Sequence, residues 1–90
     1  MNRAELRAVF LEELRRIAPE IEEAELKSDR LLREQVDLDS MDWLNFLVAL
    51  HERLRIDIPE ADYARLATLD QALDYLGGKL GEPPNVASPP

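Results

Sequence analysis

Between Asn2 and Ala18, the apolar residues Leu6, Val9, Phe10, Leu14 and Ile17 recur at spacings of three and four, with Arg and Glu between them. That spacing predicts an amphipathic helix, and Pro19 ends it. Residues 19–38, PEIEEAELKSDRLLREQVDL, are long for a connection and scatter Ile21, Leu26, Leu32 and Val36 among charges. A loop of this length in a small domain is functional or packed by its own side chains. A second helix opens at Asp39 or Ser40 and runs to about Leu54. On a helical wheel Met41, Trp43, Leu44, Leu47, Val48, Leu50 and Leu54 fill a wide arc taken as the core face, with Asp42, Asn45, Ala49, Glu52 and Arg53 opposite.

Ile56, Ile58 and Pro59 then precede a short helical stretch around Glu60 to Leu66. Thr68 with Gln71 has the form of a capping box for a last helix traced by Leu69, Ala72, Leu73 and Leu76, which Gly77 and Gly78 should stop or fray. β-Branched alternation is absent. The pattern predicts an all-α fold, a small bundle of three main helices and one short one with a long loop after the first. The domain is expected over residues 1–80, with 81–90, GEPPNVASPP, as a disordered Pro-rich tail.

Composition narrows the function. At 90 residues, 46% hydrophobic and 33% charged, the chain suits one compact core without a deep interdomain cleft. With 19 acidic residues against 11 basic, the net charge of −8 would be repelled by a nucleic-acid backbone and would steer basic protein partners in. There is no cysteine, so any thiol chemistry needs a borrowed thiol. The N-terminus lacks a signal-peptide core and the longest apolar run, FLVAL, is far short of a membrane span. The reading is a soluble, cytoplasmic monomer that neither inserts into membranes nor binds nucleic acid.

Catalytic constellations are scarce. Ser40 and His51 on one helix lie about 16 Å apart at about 1.5 Å rise per residue and cannot pair. Ser28 and Ser88 sit beside no turn suited to an oxyanion hole. Asp37, Asp39 and Asp42 lack the remaining spacing of a calcium loop, so no metal site is assigned. The stretch DLDSMDW around Ser40 has two readings. In one, Asp39 is an N-cap, Ser40 merely the first helical residue and Asp42 a complement to the helix dipole. In the other, Ser40 presents a hydroxyl to a modifying enzyme, at a helix end whose free amides suit a phosphate, while the flanking carboxylates recruit a basic partner.

The surrounding pattern favours the second. LLREQVDLDSMDWLNFLVALHERLRIDIPEADYARLATLDQALDYL closely resembles the acyl carrier proteins, in the Asp-Ser-Met start of a long helix, the IDIP step before a short helix, and a Thr-capped last helix ending in DYL. The resemblance runs from about Leu6 to Leu80. It implies a four-helix bundle of the acyl carrier type, and a non-enzymatic carrier with 4′-phosphopantetheine on Ser40. A phosphopantetheinyl transferase would transfer the arm from coenzyme A, and its thiol would carry acyl groups as thioesters. Partners would be acyl-activating or acyl-transfer enzymes with basic docking patches. Asp39, Met41, Asp42, Asn45, Glu52 and Arg53 would form the recognition surface. Leu32, Trp43, Leu44, Leu47, Leu50, Leu54, Ile58 and Leu66 are candidates to line an acyl pocket, with plain core packing as the alternative for each. For Trp43 the roles are a wall at the pocket entrance or a partner contact, with simple core burial as the stronger expectation.

Two departures are visible. The family commonly has glycine where Asp37 stands and an acid where Gln35 stands. The second half of the recognition helix, acidic in members serving fatty-acid synthesis, here carries Asn45, His51, Arg53 and Arg55. That substitution predicts a specialised lipid or secondary-metabolite pathway, such as a polyketide one, rather than housekeeping fatty acid biosynthesis. His51 could add a pH dependence. An aminoacyl or peptidyl carrier and an unmodified acidic helical adaptor remain alternatives.

Overall fold

A computed structural model of the chain describes residues 2–81, so the expected tail, Gly81 apart, lies outside the described residues. Helix α1 spans Arg3–Ile17. Its start is fixed by a capping box: the Asn2 side chain accepts from the Glu5 amide at 2.8 Å and the Glu5 carboxylate accepts from the Asn2 amide at 3.3 Å. Two donors that a helix start leaves orphaned are thus satisfied. At Thr68, where the spacing predicts such a box, the structure shows its forward half, with the hydroxyl accepting from the Gln71 amide at 3.1 Å.

Then come a 3-10 turn at Glu23–Glu25, a single-turn helix α2 at Leu32–Gln35, and the long helix α3 at Ser40–Leu54. A 3-10 helix at Glu60–Leu66 and helix α4 at Leu69–Lys79 complete the chain. The all-α expectation is met, with three long helices and a short 3-10 helix. Extended pairing among the described residues is confined to an isolated bridge between Leu31 and Thr68.

Helix α1 packs against both α3 and α4, and the 3-10 helix packs on α4. The shared core holds Leu6, Phe10 and Leu14 of α1, Phe46, Leu47 and Leu50 of α3, and Leu69, Ala72 and Leu76 of α4. At its centre the rings of Phe10 and Phe46 meet edge to face, 4.9 Å between centroids at 87°. The predicted core face of α3 needs rotating. Trp43, Phe46, Leu47, Leu50 and Leu54 point inward, whereas Met41, Leu44 and Val48 are exposed. Apolar residues occupy more than half of this helix's circumference, so spacing alone leaves its orientation open, and packing against α1 selects the face that carries Phe46.

Two helix ends are set by groups beyond the apolar pattern. Helix α4 runs through Gly77 and Gly78 to Lys79, and Gly81 supplies the left-handed turn at φ +79°. Glycine costs about 1 kcal/mol in a helix interior, and burial of Tyr75, Leu76 and Gly77 offsets it. Helix α3 ends on Arg55, a non-glycine residue at φ +55°. The amides of Arg55 and Ile56 both donate to the His51 carbonyl, and the His51 ring donates through Nδ1 to the Ile56 carbonyl at 2.5 Å. Because a Cβ is crowded in this conformation, Arg55→Gly is expected to raise stability by about 0.5–1 kcal/mol after the entropy cost of glycine. The check is a higher urea midpoint at unchanged slope.

A charge cluster joins α1 to α3. Arg53 of α3 reaches Glu12 at 2.9 Å and the buried Glu13 at 3.0 Å, and Arg16 adds a second contact to Glu13 at 3.4 Å. The Arg53 guanidinium, by hydrogen bond and by charge, holds the Glu12 carboxyl below its ordinary value, and Glu12 and Glu13 raise Arg53 in turn. A carboxylate depressed on folding contributes stability above its unfolded pKa and loses it as pH falls through the folded one. The tie therefore holds at neutral pH and weakens in acid. Between neutral pH and about pH 3, the parent is expected to lose more of its urea midpoint than Arg53→Met.

Candidate functional site

Ser40 owes its placement to the four residues before it. Val36 and Leu38 are buried while Asp37 and Asp39 are exposed, a two-residue alternation that pins an extended segment to the core and turns its carboxylates outward. Asp39 is extended (φ −81°, ψ 179°) and its carboxylate accepts from the Asp42 amide at 2.8 Å, so it is the N-cap of α3. Ser40 is then the first helical residue and exposed, and no hydrogen bond among the described residues engages its hydroxyl. The capping duty falls to Asp39 and leaves the serine free. The first amides of α3 lie at the positive end of the helix dipole, where an attached phosphate would be stabilised.

The loop leading to this segment is stapled by Gln35. Its side-chain oxygen accepts from the Lys27 amide at 2.5 Å, and its nitrogen donates to the carbonyls of Lys27 at 2.8 Å and Arg30 at 3.1 Å. An ionised glutamate could do only the first, being an acceptor alone. The departure at Gln35 is thus explained by local bonding. Asp37 keeps a negative φ, since among the described non-glycine residues only Arg55 is positive. The segment therefore makes no use of the freedom a glycine there would bring. Farther back, Leu32 donates to the Ala67 carbonyl and Asp70 to that of Ser28, both at 2.9 Å, which ties the loop to the start of α4.

Beyond Ser40, Met41, Asn45, Val48 and Glu52 follow one another along the outer face of α3, with Leu44 alongside and Asp42 in its first turn. Met41 is 64% exposed. Arg53, placed by the sequence with the recognition residues, instead turns to α1 and is engaged by Glu12 and Glu13. His51 likewise serves the end of α3.

Among the candidate lining residues, Leu32, Leu47, Leu50 and Leu66 are fully buried, and Trp43, Leu54 and Ile58 nearly so. Leu44 differs: 40% exposed, it stands on the outer face, one residue and about 100° past Trp43. Trp43 stacks obliquely on Phe46, 5.6 Å between centroids. Its outer edge walls a groove of about 250 Å³ whose other sides are Leu31, Arg33, Tyr63, Ala64 and Ala67. Apart from Trp43, this groove leaves no mark in the linear pattern, because its walls come from three separate segments joined by the loop bonds to α4.

The 3-10 helix that supplies Tyr63 and Ala64 is held by α4. Tyr75 donates to Asp62 at 2.6 Å, and Arg65 lies over the Tyr75 ring at 4.9 Å. Burial, then the hydrogen bond to Asp62, pushes the Tyr75 hydroxyl up to about 12. Among the described residues, no group of three or more His, Cys, Asp or Glu could hold a metal ion, and no helix is long and apolar enough to cross a membrane. Residues 4–76 match the model of a protein family described as "Phosphopantetheine attachment site".

Proposed function

The chain belongs to the phosphopantetheine-attachment family, carrier domains bearing a 4′-phosphopantetheine group, and we propose that Ser40 is where this protein carries it. The observation that supports the assignment is the division of labour at the start of α3: Asp39 caps the helix, and the neighbouring serine hydroxyl is exposed and unengaged. The residues fit the group. Helix-terminal amides at Ser40 and Met41 suit the phosphodiester, and no bulky side chain needs to move.

Such domains are generally non-catalytic and meet a transferase and acyl-handling enzymes in turn. In this reading, a phosphopantetheinyl transferase takes the arm from coenzyme A, in the cytoplasm. When bound, the arm supplies the thiol the chain lacks and holds an acyl group as a thioester for delivery to partner enzymes. Asp37, Asp39 and Asp42 draw basic docking patches to the serine, while exposed Met41, Leu44 and Val48 offer apolar contact beside it. The buried residues Leu32, Leu47, Leu50, Leu54, Ile58 and Leu66 act as core, and Trp43 stands between that core and the surface. The case for a specialised pathway now rests on Asn45 and Arg55, because Arg53 and His51 have structural duties.

The test is intact mass spectrometry after incubation with coenzyme A and a broad-specificity phosphopantetheinyl transferase, followed by peptide mapping. One added phosphopantetheine on the peptide containing Ser40 is the expected result. No addition to a folded chain, or addition at another serine, would sink the assignment and put the unmodified adaptor first.

A further inference from the structure

We infer that Gln35 is a positioning residue for the modification of Ser40: its side chain holds the loop before α3 in the form that a phosphopantetheinyl transferase receives. This rests on the reading that Ser40 takes the arm. In that transfer the Ser40 Oγ bonds to the phosphorus next to the pantetheine, the pyrophosphate P–O bond of coenzyme A breaks, adenosine bisphosphate leaves, and the serine proton passes to a base of the transferase. The hydroxyl must therefore be presented at a set place. A serine led in by a wandering segment is there only part of the time, and its apparent affinity falls by that fraction.

Residues 27–31 are all exposed, so no buried side chain fixes them and their places depend on hydrogen bonds. The Ser28 carbonyl accepts from the Asp70 amide at 2.9 Å. Gln35 supplies three more bonds, pairing with both the amide and the carbonyl of Lys27 at 2.5 and 2.8 Å and donating to the Arg30 carbonyl at 3.1 Å. Helix α2 is a single turn with no side-chain cap at its start, too short to persist unaided. The staple at its last residue closes that turn onto a loop already tied to α4. Past it the Val36 amide donates to the Leu32 carbonyl at 2.9 Å, the Leu38 amide to the Val36 carbonyl at 2.8 Å, and Asp39 caps α3. Ser40 stands five residues beyond Gln35, so fraying at the staple reaches the serine through a short and continuous path. An ionised carboxylate at this position would have no donor for the Lys27 and Arg30 carbonyls and would set a negative charge against both.

Initial rates of mass gain are measured by intact mass spectrometry over a range of carrier concentrations, with coenzyme A and a broad-specificity transferase, for the parent, Gln35→Met and Gln35→Glu. Gln35→Met, which loses every staple bond, is expected to raise KM for the carrier about tenfold with kcat unchanged, because the ordered loop must be selected before docking while the docked serine reacts as before. Gln35→Glu, which loses the donors alone, should raise it at least about threefold. In the free variants, hydrogen exchange should quicken at the Lys27 and Asp70 amides while those of Phe10 and Leu50 keep parental rates. A residue serving stability alone would lower the urea midpoint and leave KM at the parental value. KM within about twofold of the parent in either variant, a loss confined to kcat, or a variant unfolded before any denaturant is added would overturn the inference and leave the carrier reading standing. A raised KM with parental exchange at Lys27 would also overturn it, by showing that Gln35 meets the transferase directly. A parent that gains no mass would instead overturn the carrier reading, and this inference with it.

Discussion

Ser40→Ala is expected to abolish phosphopantetheine attachment completely while changing stability by no more than about 0.5 kcal/mol. Both halves follow from the same geometry. The hydroxyl makes no bond within the described fold, so deleting it strands no partner, and alanine suits the first helical position. The cap that starts α3 belongs to Asp39 and is untouched. The substitution thus separates chemistry from folding. Intact mass after transferase treatment should show full conversion of the parent and none of the variant, with overlapping urea transitions. A variant that still gains mass would place the arm on another residue. One that loses several kcal/mol would show Ser40 to be part of the helix start itself.

Phe46→Ala should cost about 4 kcal/mol, the range for deleting a buried aromatic ring. Phe46 has no exposed surface, meets Phe10 edge to face and supports Trp43 from beneath. It joins α3 to α1 and, through the indole, backs the groove wall. Domains of this size hold about 4–12 kcal/mol in all, so the variant should be close to unfolding at room temperature. Phe46→Leu, which refills part of the space, should lose less than half as much. Trp43 is the only tryptophan, and its fluorescence through a urea titration reports both transitions. A loss under about 1 kcal/mol for Phe46→Ala would mean the two-ring centre contributes little to the fold.

Much of the architecture is written in local pattern. The spans of α1 and α3 were legible because apolar spacing and terminal signals agree there: Pro19 after the first helix and Asp39 before the second. The resemblance to acyl carrier proteins and the singling out of Ser40 also came from adjacent residues. Other features needed the chain to meet itself. On α3, too many apolar residues compete for one face, so the inward turn of Phe46 and the exposure of Met41, Leu44 and Val48 were settled by α1. Glu13 reads as one more surface acid until Arg53, forty residues on, covers it.

The same division runs through the site. Sequence determined the helix start, its cap and the serine beside it, because these depend on neighbours within one turn. Tertiary structure decided that Gln35 staples a loop, that Arg53 turns to α1, and that Leu31, Arg33, Tyr63, Ala64 and Ala67 gather round Trp43. Helix caps are contacts of three or four residues, which a linear pattern can encode. A groove or an interhelical ion pair joins residues far apart along the chain, and only the packed fold sets which of them meet.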